Sequence, residues 1–419
     1  MTWPTIQVLF RHDSAWNDYI AQCHGFTIRR GRQRLLGRTQ PGICTLEMDN
    51  SAGTFDPGYN ADCFVGQWVK LTSDSGSGAT SLFSGTIRDV KVTWEDPGNS
   101  VAVIECIDAL GLLAGITYDG TGTIPAGTPT GDAMEEILDV ALEADGPWSG
   151  VSWLGGAGAS GVSVTQLMST ATGTALDLIQ KLEDGDGGYF FALATATDAD
   201  PPQPAFHYVT PTTLYAATLY TYSDSATLSG SELPYRFAEL EGGTSDDPVL
   251  NKATATISRG VTGDDEQFEG GTAQTYSDQT SIDTYLVRPW SESGLWLRDD
   301  AAALVRATQV VTNYKDPPSF EVRKLVLDPH TIDTAAAYRN AELLGLALGR
   351  RITIEKTPPY GSQKILECRV LGLTHEVRNT EGSREWFVTL DLEDASRWAT
   401  TALILDEATL GKLDTGTLG

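Results

Sequence analysis

The residues with the clearest potential for chemistry are five arginines within ten positions: Arg29, Arg30, Arg32, Arg34 and Arg38. Guanidinium groups form paired hydrogen bonds with carboxylates and phosphates, so such a cluster can bind an acidic partner. Three interpretations are open: a nucleic-acid contact, a seam with carboxylates of a neighbouring subunit, or a solvated loop with weak surface pairs. The run contains no aromatic residue for base stacking, which disfavours the first.

Two segments carry oxygen ligands at spacings that resemble cation loops. In the first, Asp49–Asp56 (DNSAGTFD), Gly53 stands where a calcium ligand is needed, and no bidentate Glu follows. We therefore predict a plain turn, since Asn and Gly tolerate the backbone of tight reversals. The second segment, Asp184-Gly-Asp-Gly-Gly, is predicted to end a helix.

The histidines and carboxylates suggest no active site. His375-Glu376 could begin an H-E-x-x-H zinc motif, but Asn379 occupies the second ligand position. The sequence contains neither a G-x-S-x-G elbow nor a P-loop, and no pair of acids stands out as a glycosidase dyad. We expect no catalytic residue, no metal and no cofactor.

The five cysteines are scattered and odd in number, without C-x-x-C spacing. This pattern disfavours a disulfide framework or a zinc site. Cys44 and Cys106 fall on apolar strand positions, and we predict that both are buried thiols.

The tryptophans could form an aromatic contact surface. Trp68, Trp94 and Trp386 lie in strand patterns and are predicted to fill cores. Trp290 and Trp296, which flank the SESG turn, are the candidates for an exposed aromatic contact. Burial of these two against a neighbouring helix is the alternative.

Length and charge limit the possible classes of protein. A chain of 419 residues should hold about two to four domains. Its 29 basic and 56 acidic residues give a net charge of −27, which disfavours sequence-specific nucleic-acid binding. An acidic channel could still let DNA slide without sticking, but the charge could also serve solubility alone. We find no signal peptide and no membrane-spanning run, so we expect synthesis in a cytoplasm.

The elements that position these residues are mostly strands. Alternation of apolar and polar residues predicts them at Thr5–Phe10, Phe26–Arg30, Gly42–Met48, Gln67–Thr72, Leu82–Trp94 (as two segments with a bend), Val101–Asp108, Tyr189–Ala194, Ala205–Val209, Asn251–Ile257, Lys364–His375 and Glu385–Leu392.

Three helices are predicted. The first begins at Thr130, stops before Gly146-Pro147, and carries a stripe of Met134, Ile137, Leu138, Ala141 and Leu142. The second runs from Gly173 to Glu183. The third runs from Asp299 to Asn313, with inward-facing Ala303, Leu304, Ala307, Val310 and Val311.

The order of the N-terminal motifs resembles that of the tail hub, or minor tail, proteins of long-tailed bacteriophages. The motifs are the Arg30-Gly31 strand, the Met48–Pro57 turn, the Phe83–Ile87 strand and the Ile104–Leu110 strand. Asp278–Tyr285 (DQTSIDTY), within the returning β region, and the helix–glycine–strand unit before Ala194 also resemble this family.

The resemblance implies a mainly β fold: two tail-tube-like β-barrel domains plus an inserted helix-containing α+β domain. The expected divisions are an N-terminal barrel at 1–118, the insertion and return strands at 119–245, a second barrel with the 299–313 helix at 246–399, and an extended tail at 400–419.

The resemblance also implies a function. We expect a homotrimeric hub at the tail tip of a virion, made in the host cytoplasm, which continues the tail tube as a conduit for DNA. Its implied partners are tail-tube or distal-tail rings, the tape measure protein, and tip or fibre proteins. The alternatives are a receptor- or glycan-binding tail-tip protein and, less favoured, an acidic hydrolase.

Overall fold

The computed structural model describes residues 5–12, 14–32, 36–57, 63–74, 78–96, 99–118, 124, 128–143, 152–153, 173–196, 202–209, 220–224, 232–234, 239–244, 249–258, 271–318, 320–328, 348–380 and 383–395. Among these residues, fourteen strands form one large sheet, beside which lie smaller sheets and packed helices. The predicted mainly β class is confirmed. The predicted tail at 400–419 lies outside the described residues.

The N-terminal part folds into strands because apolar and polar side chains alternate along it. The strands are β1 (Thr5–His12), β2 (Ala15–Asp18), β3 (Cys23–Gly31), β4 (Gln40–Asp49), β5 (Trp68–Asp74), β6 (Ala79–Asp96) and β7 (Asn99–Asp108). Along β4, Cys44, Leu46 and Met48 are fully buried, and Cys106 of β7 is buried opposite Cys44. The predicted burial of both thiols is confirmed.

The next part of the chain is helical with short strands. It comprises α1 (Ala109–Leu113), β8 (Thr117–Tyr118), α2 (Thr130–Glu143), β9 (Ser152–Trp153), β10 (Gly173–Thr174), α3 (Ala175–Asp186), β11 (Tyr189–Ala196) and β12 (Pro204–Val209). The predicted stripe of α2 is buried. Thr174 caps α3 by accepting a hydrogen bond from the Asp177 amide at 3.2 Å. Gly187, at φ 79°, ends the helix, which therefore extends three residues beyond the predicted end at Glu183.

In the rest of the described chain strands return, interrupted by two helices. They are β13 (Tyr220–Ser223), β14 (Glu232–Pro234), β15 (Glu239–Gly243), β16 (Lys252–Ile257), β17 (Gln274–Ser277), α4 (Gln279–Tyr285), β18 (Pro289–Leu295), α5 (Asp300–Tyr314), β19 (Glu321–Leu327), β20 (Arg351–Lys356), β21 (Lys364–Thr380) and β22 (Ser383–Asp394). Helix α5 packs on the sheet β17-β16-β18.

Pairing between β3 and β21 joins the two β regions. The main path of the large sheet is β14-β13-β20-β21-β3-β4-β7-β6-β5-β1-β2, and β22, β19 and β15 branch in that order from β21. The β3–β21 register runs from Gly25 opposite Arg378 to Gly31 opposite Gly372. Strands from both predicted β domains therefore share one sheet, and the domain boundaries stay predictions.

Three details differ from the sequence-based expectation. Asp278–Tyr285, placed within a β region, forms α4 because the Asp278 carboxylate accepts a hydrogen bond from the Ser281 amide and caps the helix. Strand β6 is continuous, and a register shift between Ile87 and Asp89 takes the place of the expected bend. Leu304 is exposed, since it lies on the margin of the buried stripe through Ala303 and Ala307.

Trp94 was predicted to fill a core, and this was wrong. Its side chain is 70% exposed, whereas Trp68 and Trp386 are buried as expected. Trp94 pairs with Ser100 near the end of the β6–β7 hairpin, whereas pairing of β7 with β4 stops at Val101. The hairpin end thus extends past the neighbouring strand that would cover the ring.

Candidate functional site

The arginine segment lies at the end of β3 and in the loop that leads to β4. Arg29 and Arg38 are exposed, Arg30 is half-buried, and Arg32 is buried. Arg34 lies outside the described residues. The arginines of this segment therefore differ in what they can contact.

An open groove of about 400 Å³ runs along this segment, bordered by Arg29, Arg30, Arg38, Gln40, Thr374 and Asp391. Burial raises the pKa of the Asp391 carboxyl, and Arg29 and Lys324 partly offset this effect. The groove thus combines guanidinium groups with one acid of its own chain.

Arg30 joins β3 to β11. Its guanidinium donates to the carbonyl oxygen of Ala192 in β11. Burial lowers the pKa of Arg30, and the nearby Asp108 carboxylate partly offsets this effect. Asp108 caps α1 through the Leu110 amide at 3.0 Å, and burial raises the pKa of Asp108 to about 6. One buried acid therefore serves both the helix and the arginine.

Arg32 lies inside a second contact, with α3 and β11. Its Cζ is 3.3 Å from the ring centroid of Tyr189, and its Nη1 donates to the Gly37 carbonyl at 2.9 Å. Glu183 Oε1 lies 3.9 Å from Arg32 and accepts hydrogen bonds from Thr39 Oγ1 at 3.0 Å and the Phe190 amide at 3.3 Å. Burial raises the pKa of Glu183 to about 7, against the opposing charge of Arg32.

Arg38 makes a third contact, with α3. Its Nε and Nη2 donate to Asp184 Oδ2 at 2.9 and 2.6 Å. Arg30, Arg32 and Arg38 therefore all contact groups of their own chain. Their predicted role in a subunit interface stays a prediction. Arg29 is exposed in the groove and has no hydrogen bond to α3 or β11 among the contacts described.

The charge cluster around Arg32 extends into the later strands and α5. Arg369 of β21 lies 4.0 Å from Glu393 of β22, and both side chains are almost fully buried. Tyr314 of α5 donates to Glu393 at 3.1 Å. Arg306, also of α5, is buried near Asp186, whose carboxylate accepts a hydrogen bond from Tyr208.

Sequence reasoning missed this cluster, although the sequence contains a signal for it in the charged residues on two apolar helix faces. Glu183 follows Leu176 and Ile179 at helical spacing, and Arg306 stands between Ala303 and Val310 on the apolar stripe of α5. A charged residue on a buried stripe predicts a buried charge that needs a partner. The identity of the partners depends on pairing that no local pattern encodes.

The two tryptophan candidates are half-buried. Trp290 packs against the α5 core and lies 5.9 Å from the guanidinium of Arg306. Trp296 packs against the core of the inserted helices, and Lys181 Nζ lies 5.1 Å from its ring. Their predicted role as a contact surface is untested, and their exposed area is limited.

The cation-loop candidates have structural roles. Asn50 is buried, accepts a hydrogen bond from the Phe55 amide at 2.7 Å and donates to Ser100 at 3.2 Å, which holds the Asp49–Asp56 turn.

His375 is fully buried against Trp386. Within the described ranges, no group of three or more His, Cys, Asp or Glu residues is arranged to hold a metal ion. None of the described helices combines the length and hydropathy needed to cross a lipid bilayer.

Comparison with solved structures connects this fold to tail proteins. A tail protein from Neisseria meningitidis MC58 matches 94% of this chain and 98% of its own, with a TM-score of 0.58 and 12% identity. The 43 kDa tail protein of prophage MuSo2 from Shewanella oneidensis matches 94% and 99%, with a TM-score of 0.55 and 13% identity. Prophage tail protein gp18 from Listeria monocytogenes EGD-e matches 96% and 100%, with a TM-score of 0.50 and 11% identity.

The sequence itself matches no protein-family model and no curated protein. At such low identity the structural likeness shows the fold. The resemblance to phage tail proteins, predicted from the order of short motifs, is confirmed at that level.

Proposed function

We propose that the chain is a structural protein of a bacteriophage-type tail and forms a homotrimeric hub at its distal end. The supporting observation is a likeness that spans both chains from end to end, 94% of this one and 98% of the Neisseria meningitidis tail protein. The architectural role is inferred by analogy from the whole fold, because no described site points to a separate activity.

In this proposal the hub continues the tail tube as a conduit for DNA. The net charge of −27 supports that role, because an acidic wall repels phosphate groups and lets a duplex slide. The partners are tail-tube or distal-tail rings, the tape measure protein, and tip or fibre proteins. The protein acts without catalysis.

The exposed Arg29 and its groove supply a contact between copies in this proposal. Closed rings form when one surface of a subunit fits a different surface of the next. A groove that presents arginine on an otherwise acidic chain fits carboxylates of a neighbouring copy. The arginine-to-carboxylate seam predicted from the sequence therefore centres on Arg29.

Mass in solution tests the proposal. Light scattering of the purified full chain should give the mass of three copies, and negative-stain images should show rings with a central opening. Antibody labelling of particles should then mark one end of the tail. A chain that stays monomeric at high concentration and binds cell-wall glycan would instead support the receptor-binding alternative. The half-buried state of Trp290 and Trp296 does not favour that alternative.

A further inference from the structure

The small sheet β17-β16-β18 has an open edge at β17. The Asp278 amide, just after β17, donates to the Asn251 carbonyl of the neighbouring chain segment at 2.9 Å. Because ladder bonds alternate along an antiparallel pair, the N–H and C=O groups of Thr275 and Ser277 point away from β16. Within the described residues, no hydrogen bond joins either amide to a group outside the strand ladder. The edge of β17 therefore presents two donors and two acceptors.

This edge lacks the features that discourage strand addition. Two other edge strands carry them: β15 has Glu239 and Glu241, and β18 begins with Pro289 and carries Glu292. Charges and prolines on an edge disfavour pairing with a further strand. The sequence of β17 is Gln-Thr-Tyr-Ser, without charge or proline, in a chain of which 20% is charged. Its edge can accept a partner strand.

The face of β17 beneath α5 also has room for a neighbour. Tyr276 pairs with Ala253, which belongs to the core that α5 covers, and α5 packs on both β16 and β17. Tyr276 is nevertheless 38% exposed. A fourth strand beside β17 would cover its ring and pack apolar side chains against it.

The described chain ends close to this edge. Glu393, two residues before the last described residue Ala395, accepts a hydrogen bond from Tyr314 at 3.1 Å. The next residue of α5, Lys315, donates to Asp278 at 3.0 Å, and Asp278 directly follows β17. The end of α5 thus connects the end of β22 to the end of β17.

The sequence beyond Ala395 contains a run suited to a strand. Residues 396–419 lie outside the described residues, and positions 401–405 read Thr-Ala-Leu-Ile-Leu. Aliphatic and β-branched residues favour strands, and this run has no charge, glycine or proline. Six extended residues span about 20 Å, roughly twice the diameter of a helix, so the run can reach β17 past the end of α5.

From the open edge, the exposed Tyr276 and the place where the chain leaves β22, we propose that residues 401–405 add to β17 of the same chain as a fourth strand. Their backbone bonds to the outward groups of Thr275 and Ser277, and aliphatic side chains on one face cover Tyr276 beneath α5. The added strand pairs the exposed edge and holds the C-terminal segment on the small sheet.

Hydrogen exchange of the full chain tests the pairing. The amides of Thr275 and Ser277 should be protected in the unmodified chain. Leu403→Pro combined with Ile404→Pro should speed their exchange at least about tenfold, because proline lacks the amide and does not fit inside a ladder. Thr417→Pro combined with Leu418→Pro changes the same segment beyond the proposed strand and should leave the protection unchanged. Fast exchange in the unmodified chain, or equal protection in both variants, would overturn the proposal.

Disulfide cross-linking distinguishes a strand of the same chain from one of a second copy. Thr275→Cys is combined in turn with Ala402→Cys, Leu403→Cys and Ile404→Cys in the full chain. The five native cysteines are buried, so they do not compete for the link under mild oxidation. At least one pair should give a link that a denaturing, non-reducing gel shows as a single chain, whereas Thr275→Cys with Thr417→Cys should give none.

The absence of any link, or links that join only two chains, would contradict the proposal. Two-chain links would show instead that a second copy supplies the strand. The substitutions in residues 401–418 lie beyond the described fold, and the exchange pattern of β4 checks that this fold is retained. A link within one chain can form with or without a trimer, so its failure would leave the proposed hub unaffected.

Discussion

Leu286 holds a backbone conformation that only glycine adopts readily. Its φ of 63° and ψ of 176° place it in a region that costs about 1–3 kcal/mol for other residues. The buried Asn251 imposes this geometry, because its side chain donates to the Leu286 carbonyl at 2.7 Å and accepts from the Arg288 amide at 2.8 Å. The Leu286 side chain is 76% exposed, so packing within the chain does not offset the strain.

Leu286→Gly should therefore stabilise the isolated chain. The release of strain exceeds the conformational entropy that glycine loses on folding, and we expect a gain of about 1 kcal/mol in the free energy of unfolding. Denaturant titration measures it. Val287→Gly is the matched control, since Val287 is also exposed but has a negative φ, and it should lower stability. A loss of stability in Leu286→Gly as large as in the control would show that the geometry is not strained.

Glu183 gives the fold a dependence on pH. Its pKa is raised from 4.5 to about 7 by burial, so between these values the folded chain holds a proton that the unfolded chain releases. The stabilisation from this group is fully present below about pH 4.5 and is lost as the pH rises through about 7. His375 acts in the opposite direction, because burial lowers its pKa to about 3 and stability falls as the pH drops below 6.5.

Glu183→Gln separates the effect of Glu183 on the pH dependence of stability from that of His375. Between about pH 5 and about pH 8, the unmodified chain should lose roughly 2.5 kcal/mol more stability than the variant, as measured by urea unfolding at each pH. Asp177→Asn, an exposed acid on the same helix, should leave the difference unchanged. Parallel curves for the unmodified chain and Glu183→Gln would show that Glu183 stays ionised, paired with Arg32.

At the scale of elements, the pairing of β3 with β21 depends on close backbone approach. Gly31 has a φ of +92°, and a Cβ there would lie 2.3 Å from the Leu371 carbonyl oxygen. Gly66 has the same φ of +92°, but no atom lies within 4 Å of the position that its Cβ would take. A comparison of alanine substitutions at Gly31 and Gly66 therefore separates the effect of the unfavourable φ from the effect of crowding between strands.

Gly31→Ala should therefore destabilise the chain by at least about 2 kcal/mol more than Gly66→Ala, which suffers the unfavourable φ alone. Denaturant unfolding of the two variants gives the comparison. Equal losses would mean that β21 shifts easily and that the joint between the two β regions is loose.

The elements that the sequence predicted well have strong local periodicity. The alternation in β4 and the apolar stripe of α2 are buried as expected, because each pattern is complete within one element. Helix α4 was missed because a single capping aspartate starts it within a strand-like region. Trp94 was misassigned because local alternation does not reveal where the neighbouring strand ends.

Only the arginine run of the candidate site could be predicted from the sequence, and its contacts could not, for a related reason. The arginine segment was visible as a run, but its contacts come from Asp108, Glu183, Asp184 and Tyr189, which lie far along the chain. Long-range pairing decides which arginine is buried and which stays in the groove. Composition and spacing carry no information on that choice.

At the scale of the whole molecule, the proposed trimer has to overcome charge repulsion. Three copies of a chain with a net charge of −27 carry three times that charge, or −81. In that proposal, contacts between copies need local positive charge at the seam, where it also selects the correct register. Arg29, exposed beside the groove, is in a position to supply it.

Arg29→Glu should consequently weaken the proposed trimer while the fold of each copy is retained. Replacing a cation with an anion at an acidic contact should raise the dissociation constant at least about tenfold, as measured by sedimentation or light scattering over a dilution series. Arg88→Glu makes the same change in charge at another exposed strand position and should leave assembly close to that of the unmodified chain. Unfolding of both variants should show a similar small loss of stability, of no more than about 1 kcal/mol, because Arg29 lies near Asp391 and the exposed Arg88 near Glu105. If Arg29→Glu still forms trimers with unchanged affinity, the seam between copies lies on a different surface and the groove is an ordinary solvated edge of the sheet.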